Sequence, residues 1–184
     1  MNDKMALIPI EQQQLVTRVS QQIAMTDRLL SLFNDDLPEL IPYRKGDKWG
    51  FCDRNMKIVI EYVYDKVDKF SEGLAMVKKD GKYGFVDKKG NEKVPCIYFE
   101  AWKFLEDLAR VKEDNKWGFI NKNGNKTVPC IYDYAQKFSE GLAAVKKEDK
   151  YGFIDKSGNE IIPCIYDYAQ KFSEGLAGVK KEDK

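Results

Sequence analysis

Cys96, Cys130 and Cys164 recur at a constant step of 34 residues, and a recurring cysteine set is a place to look for metal ligation or thiol chemistry. A chelating set needs two thiolates close in sequence or histidines to complete it. No two cysteines are near one another, Tyr62 occupies the position the same step would next reach, and the chain holds no histidine. The missing histidine also removes the commonest general base and every Ser-His or Cys-His nucleophile. Glu72, Glu106, Glu140 and Glu174 recur as well, each three residues after Lys69, Lys103, Lys137 and Lys171. Acid–base work by carboxylates needs one cleft and two different environments. A charge copied at a fixed step instead makes a local ion pair or turn contact. These residues therefore read as structural: small cysteines stacked in a row, recurring charges at turns, and no enzyme, cofactor or metal expected.

The step that absorbs them runs through the whole chain from residue 39 onward. Trp49-Gly50-Phe51, Tyr83-Gly84-Phe85, Trp117-Gly118-Phe119 and Tyr151-Gly152-Phe153 each open a unit of 34 residues with no insertion. Tyr64, Phe70, Leu74 and Val77 repeat at the same step, as a copied core would. The units opening at Trp117 and Tyr151 are nearly identical, which points to duplication of a complete structural piece.

Within a unit the pattern has period two. In Leu74 to Lys78, Ala75 and Val77 share one face, while the position of Met76 holds Pro42, Arg110, Ala144 and Gly178 elsewhere and is expected to meet water. Asp80-Gly81 predicts a two-residue hairpin into the next aromatic-Gly-Phe strand, whose faces both carry apolar residues and which should therefore be central. Asp87-Lys88-Lys89-Gly90 predicts a tight turn with Gly left-handed; Met56 replaces that glycine in the first unit, where a looser turn is expected. A short third strand should end at Pro95, Pro129 and Pro163. Asp133 to Phe138 should form one helical turn capped by Asp133 and closed by Gly141.

The pattern K-[WY]-G-F-[IV]-[DN]-K-x-G, followed by P-x-I-Y-D and F-S-E-G-L-A-x-V-K, resembles the bacterial WG-repeat family, also called KWG repeats, over residues 39–184. The resemblance implies β-rich interaction modules and carries over no catalytic residue. The second unit departs from it at Phe99, Leu105 and Asp107, which puts its connecting turn in question. The fold expected is mainly β: a tandem array of four three-stranded antiparallel units, open and solenoid-like, with β-propeller-like closure as the alternative. On this reading the strand Leu176 to Lys181 lacks a hairpin partner and leaves an edge, as in an array cut short.

Residues 1–38 differ in composition. Val16, Val19, Ile23, Leu30 and Phe33 fall at helical spacing after Pro9, interrupted by Thr26, so an amphipathic helix over 9–33 is expected. It would cap the first unit, dock into a protein partner, or, least in keeping with its Gln-rich polar face and the net negative charge of the segment, lie on a membrane. Charge excludes one class of partner. With 31 Lys and Arg against 30 Asp and Glu there is no basic field for nucleic acid. No apolar run spans a membrane and no secretory signal is recognisable, so a cytoplasmic location is expected.

What varies between copies points to a contact surface. Trp102 stands where Asp68, Gln136 and Gln170 occur, and Tyr134 and Tyr168 stand where Lys66 and Glu100 occur. Positions that tolerate charge are exposed, and exposed aromatics favour protein contact; the competing reading packs these rings between units. A protein-interaction scaffold with an unidentified protein partner follows, with a small-ligand or glycan-binding repeat as the alternative.

Overall fold

Turn-forming pairs set between alternating apolar runs fold the chain into successive antiparallel meanders. The structure, a computed structural model, describes residues 18–23, 25 and 39–182. By internal contacts the chain divides into two units, Met1–Glu39 and Leu40–Lys184.

In the second unit, β1 (Ile41–Lys45), β2 (Lys48–Cys52) and β3 (Ile58–Tyr64) form a three-stranded sheet. Three four-stranded sheets follow. The first holds β4 (Lys66–Val67), β5 (Leu74–Lys79), β6 (Lys82–Asp87) and β7 (Glu92–Tyr98). The next holds β8 (Glu100–Ala101), β9 (Leu108–Glu113), β10 (Lys116–Asn121) and β11 (Lys126–Tyr132). The third holds β12 (Tyr134–Ala135), β13 (Leu142–Lys147), β14 (Lys150–Asp155) and β15 (Glu160–Tyr166). A two-stranded sheet, β16 (Tyr168–Ala169) with β17 (Val179–Lys180), ends the described array. Every sheet is antiparallel, runs in chain order and stays unclosed, so the expected tandem β array is the observed one. Each four-stranded sheet straddles two sequence units, because the strand that ends one unit pairs with the aromatic-Gly-Phe strand that opens the next, as in Leu74↔Asp87 through Lys79↔Lys82.

The hairpin chemistry follows the residues at the joint. Asp80 and Gly81 both take positive φ, 51° and 80°, as do Asp114 with Asn115 and Glu148 with Asp149. In the first hairpin, between Lys45 and Lys48, only Gly46 does so, the pattern of the other primed turn with glycine leading.

The aromatic-Gly-Phe strand is interior in every sheet that contains one, and its glycine has a steric reason. Opposite Gly84 the outer strand bulges between the Tyr83↔Tyr98 and Phe85↔Val94 pairs. A Cβ on Gly84 would lie 2.5 Å from the Val94 carbonyl oxygen and 2.8 Å from the Cys96 nitrogen. Glycine lets the bulged backbone close onto the central strand.

Four local expectations are corrected. The residues predicted as a helical turn form two-residue strands instead: Tyr134↔Lys146 and Ala135↔Val145 pair, and Asp133 donates its N–H to the Lys146 carbonyl. The ladder offers these backbone groups partners that one isolated helical turn cannot, since helix nucleation is costly. The third strand does not stop at proline. Glu92–Tyr98 runs through Pro95, whose missing donor costs no ladder bond at a bulge on an outer strand. The turn at Met56 is not loose: Met56 itself takes φ 62°, and Asp53 Oδ1 accepts from the Asn55 and Lys57 N–H groups at 2.9 Å each. Lys89 and Asn91 bond to Asp87 in the same way in the second unit. The Leu105–Leu108 turn likewise survives its substitutions, with Glu106 at φ 53° and Asp107 at 70°.

The fourth correction concerns the position of Met76. In the inner copies it does not face water, though Gly178 is exposed: Ala144 is buried and Met76 packs half-buried against the core. Neighbouring sheets stack face to face and cover it. The Phe face of one sheet meets the Ala-Val-Ile face of the next, as Phe119, Val128 and Tyr132 meet Ala135, Ala143, Val145 and Ile154. Across each such interface a Phe–Phe pair recurs at 4.7 to 4.9 Å between ring centroids, for example Phe119–Phe138 and Phe51–Phe70. No polar residue is fully buried in this core among the described residues.

Of the helix predicted over 9–33, residues 18–23 and 25 are helical, with Val19 and Ile23 exposed. Pro9, Val16, Leu30 and Phe33 lie outside the described residues. No helix among the described residues is long and apolar enough to cross a membrane.

Candidate functional site

The groups that first suggested chemistry are engaged in holding the stack together. Glu106 sits in a turn at φ 53°, and its carboxylate oxygens accept from the Glu140 and Gly141 N–H groups one unit later, at 3.2 Å each. Glu140 repeats the contact with Glu174 and Gly175 at 2.7 and 2.9 Å, and Glu72 accepts from Asp107 at 3.0 Å. Each glutamate thus satisfies backbone donors of the following turn, a contact between units and not with the lysine three residues before. Lys122 lies 3.1 Å from Glu72, and Lys156 lies 3.2 Å from Glu106. A hydrogen bond and ion pair to Asp107, then a hydrogen bond to Glu72, hold the Lys122 ammonium above its usual range.

The cysteines are free thiols set against the core, Cys96, Cys130 and Cys164 each in a successive interface. Burial pushes the Cys96 thiol up to about 11 and raises Cys130 and Cys164 as well, the opposite of an activated thiolate. No group of metal-ligating side chains gathers among the described residues.

Asp65, Asp133 and Asp167 pair with Lys48, Lys116 and Lys150 of the preceding sheet, and each lysine holds its aspartate below the usual carboxylate range. Asp133 also accepts from the Glu148 N–H at 3.1 Å. Where Phe99 replaces this aspartate, Lys82 lies over its ring, 2.9 Å from the centroid. A cation–ring contact therefore stands in place of the ion pair.

The three aromatics singled out by their variability are exposed: Trp102 by 56%, Tyr134 by 40% and Tyr168 by 50%. They are also linked. Tyr134 and Tyr168 each meet Tyr151 edge-on, at 6.3 and 6.2 Å. Trp102 reaches Tyr134 through Arg110, whose guanidinium lies 4.9 Å from the Trp102 ring, 4.6 Å from Trp117 and 6.0 Å from Tyr134. The surface row and the packing between units are thus the same set of rings, exposed on one side and braced on the other.

Arg110 is the residue the pattern concealed. It occupies the Met76 position, where the alternation pointed to solvent; the stacked sheets enclose it, and burial lowers its pKa. One guanidinium nitrogen donates to the Ala135 carbonyl, and its Nε is buried with no partner. The available signal was compositional: an arginine where the other copies carry Pro, Met, Ala and Gly.

Around Arg110 the stack opens into a groove of about 480 Å³. Leu105, Leu108, Phe119 and Phe138 form its apolar wall, and Trp102 and Tyr134 also line it. Lys103, Lys137 and Lys171, one per unit, supply its charge, and no carboxylate lines it. The arrangement can hold an apolar group against hydrocarbon and rings while attracting negative charge. It brings together Trp102 and Tyr134; Tyr168 stands further along the row.

The family model for the WG containing repeat matches residues 49–83, 83–117, 117–151 and 151–184. No curated protein matches the chain.

Proposed function

This chain belongs to the WG-containing repeat family, and from that premise we propose that its array is a non-catalytic protein-interaction scaffold whose contact face is built on Trp102, Tyr134 and Tyr168. The observation that supports this reading is the exposure of all three rings at positions where other copies carry Asp68, Lys66, Glu100 or Gln170. The fold does not need aromatics there, and large rings at a partly wet, partly braced surface are the usual anchors of protein contact. The non-catalytic part rests on the engagement of the reactive groups: glutamates bonded to turns, and thiols kept protonated by burial. Free thiols suit a reducing compartment, and the cytoplasm is the location proposed.

The test uses residues that the repeat itself accepts. Trp102→Asp, Tyr134→Glu and Tyr168→Glu copy the charges found at Asp68 and Glu100, so the array keeps its fold. Affinity capture from a lysate with the intact chain, compared with the triple variant, should show a reproducible protein partner lost on substitution. Retention of every partner at unchanged yield refutes the aromatic contact face. The groove beside Trp102 favours a second reading, a small-ligand or glycan site with the rings as platforms, which predicts binding without any captured protein.

A further inference from the structure

Three of the second unit's departures from the repeat, Trp102, Leu105 and Arg110, converge on one place. They stand where the first unit has Asp68, Ser71 and Met76 and the third has Gln136, Ser139 and Ala144, and all three line the same groove. In the other interfaces Ser71 and Ser139 each donate a hydrogen bond across the stack, to the Phe104 and Phe172 carbonyls at 2.8 Å. Leu105 cannot make this bond. The unit has exchanged a stacking contact for apolar surface inside a recess.

The charge of the recess is one-sided. The whole chain balances 31 basic against 30 acidic residues, yet Lys103, Arg110, Lys137 and Lys171 line the groove with no acidic side chain among the lining residues. The three lysines are exposed and form no ion pair among the described residues, unlike Lys48, Lys116, Lys122 and Lys150. Arg110 adds a buried Nε with no hydrogen-bond partner. Unneutralised cations around a hydrocarbon wall are complementary to a ligand that is anionic outside and apolar within.

We propose that this groove binds an acidic peptide segment carrying one bulky apolar side chain. The apolar side chain enters past Trp102 and Tyr134 onto Leu105, Leu108, Phe119 and Phe138. The flanking carboxylates meet Lys103, Lys137 and Lys171. The volume of about 480 Å³ takes one aromatic side chain with its flanking backbone. The proposal rests on the protein-interaction reading above and specifies the partner's chemistry at that face.

The test is fluorescence anisotropy of the full chain with labelled ten-residue peptides: Asp/Glu-rich with a central Phe, the same peptide with Ala for Phe, and a Lys-rich peptide with the central Phe. A labelled single-stranded dT10 probes the other polyanion that rings and lysines could attract. The acidic Phe peptide should bind at least tenfold more tightly than each of the other three, and weaken as salt rises. Trp102→Asp, Arg110→Met and the pair Lys103→Glu with Lys137→Glu should each cost tenfold or more. Unchanged circular dichroism and urea midpoints of these variants keep a loss of binding attributable to the groove. Equal binding of acidic and basic peptides, tighter binding of dT10, or affinity indifferent to these substitutions overturns the proposal. If captured proteins still depend on Trp102, Tyr134 and Tyr168 while the acidic peptide fails, the contact face stands and its acidic specificity falls.

Discussion

Replacing Gly118 by alanine tests the steric account of the repeat's defining glycine. Gly118 lies in β10 opposite the bulge of β11, and an added Cβ would lie 2.6 Å from the Val128 carbonyl oxygen and 2.8 Å from both the Cys130 nitrogen and the Pro129 carbonyl carbon. All three are backbone atoms, so no side chain can turn aside. A carbon and a carbonyl oxygen normally approach no closer than about 3.3 Å, so β11 must withdraw by about 0.7 Å. Over-packing of this kind costs about 1–3 kcal/mol, and each ladder bond stretched by the withdrawal adds about 1 kcal/mol. A loss of about 3 kcal/mol is expected on these two grounds.

The control is Gly124→Ala. Gly124 has φ 82°, but a Cβ there meets only Lys93 O and Val94 Cγ2 at 3.5 Å, an ordinary contact. The cost is that of a left-handed L-residue alone, about 1 kcal/mol; Met56 already occupies the corresponding position at φ 62°. Urea unfolding followed by tryptophan fluorescence reads both, since Trp117 is buried beside the substituted glycine. With a slope of about 2 kcal/mol per molar urea, the midpoint should fall by about 1.5 M for Gly118→Ala and about 0.5 M for Gly124→Ala. A Gly118→Ala midpoint at or above that of Gly124→Ala would refute the close-approach explanation.

Other perturbations address the ladder, the turn and the thiols. Glu106→Ala removes the acceptor for two backbone donors of the next turn and the partner of Lys156; with the side chain 31% exposed, the expected loss is about 1 kcal/mol. Glu174→Ala, which removes no such acceptor among the described residues, should leave the urea midpoint in place. Met56→Gly relieves a left-handed methionine but loosens the unfolded chain, so a net gain of about 0.5 kcal/mol is expected, read as a higher thermal midpoint. Burial raises the Cys96 thiol from 9.0 to about 11. The native state therefore holds its proton to higher pH than the unfolded state, and this contribution to stability is complete below pH 9 and fades as pH rises toward 11. Alkylation of Cys96 at pH 8, followed by mass spectrometry, should be slow in the native protein and rapid in urea. Equal rates in the two states would contradict the burial.

Much of the fold was legible in single residues because the forces that decide it are local and repeated. Asp80-Gly81 states a hairpin, Asp87 with Gly90 states a turn, and alternation states strands. A spacing kept four times makes each inference support the others. Errors fell where a local rule met a nonlocal partner. Asp133 to Phe138 carries a plausible helix cap, but the carbonyl of Lys146 was waiting to pair with it. Pro95 reads as a strand end until the bulge makes its missing donor harmless. Glu106 reads as a local ion pair or a turn contact, and it is a turn contact, but the turn belongs to Glu140 and Gly141, a unit away.

The candidate site divides along the same line. Trp102, Tyr134 and Tyr168 were visible as variable aromatics in a constant frame, because tolerance of charge in other copies is itself a measure of exposure. Arg110 was not. Alternation placed it on the solvent side of β9, and only the stacking of the next sheet against that face encloses it among Trp102, Trp117 and Tyr134. The residues by themselves determine the unit, its turns and its period, since each depends on neighbours a few positions away. Which face of each sheet is covered, which glutamate caps which turn, and where the stack opens into a cationic groove depend on how successive sheets meet, and only the tertiary structure decides that.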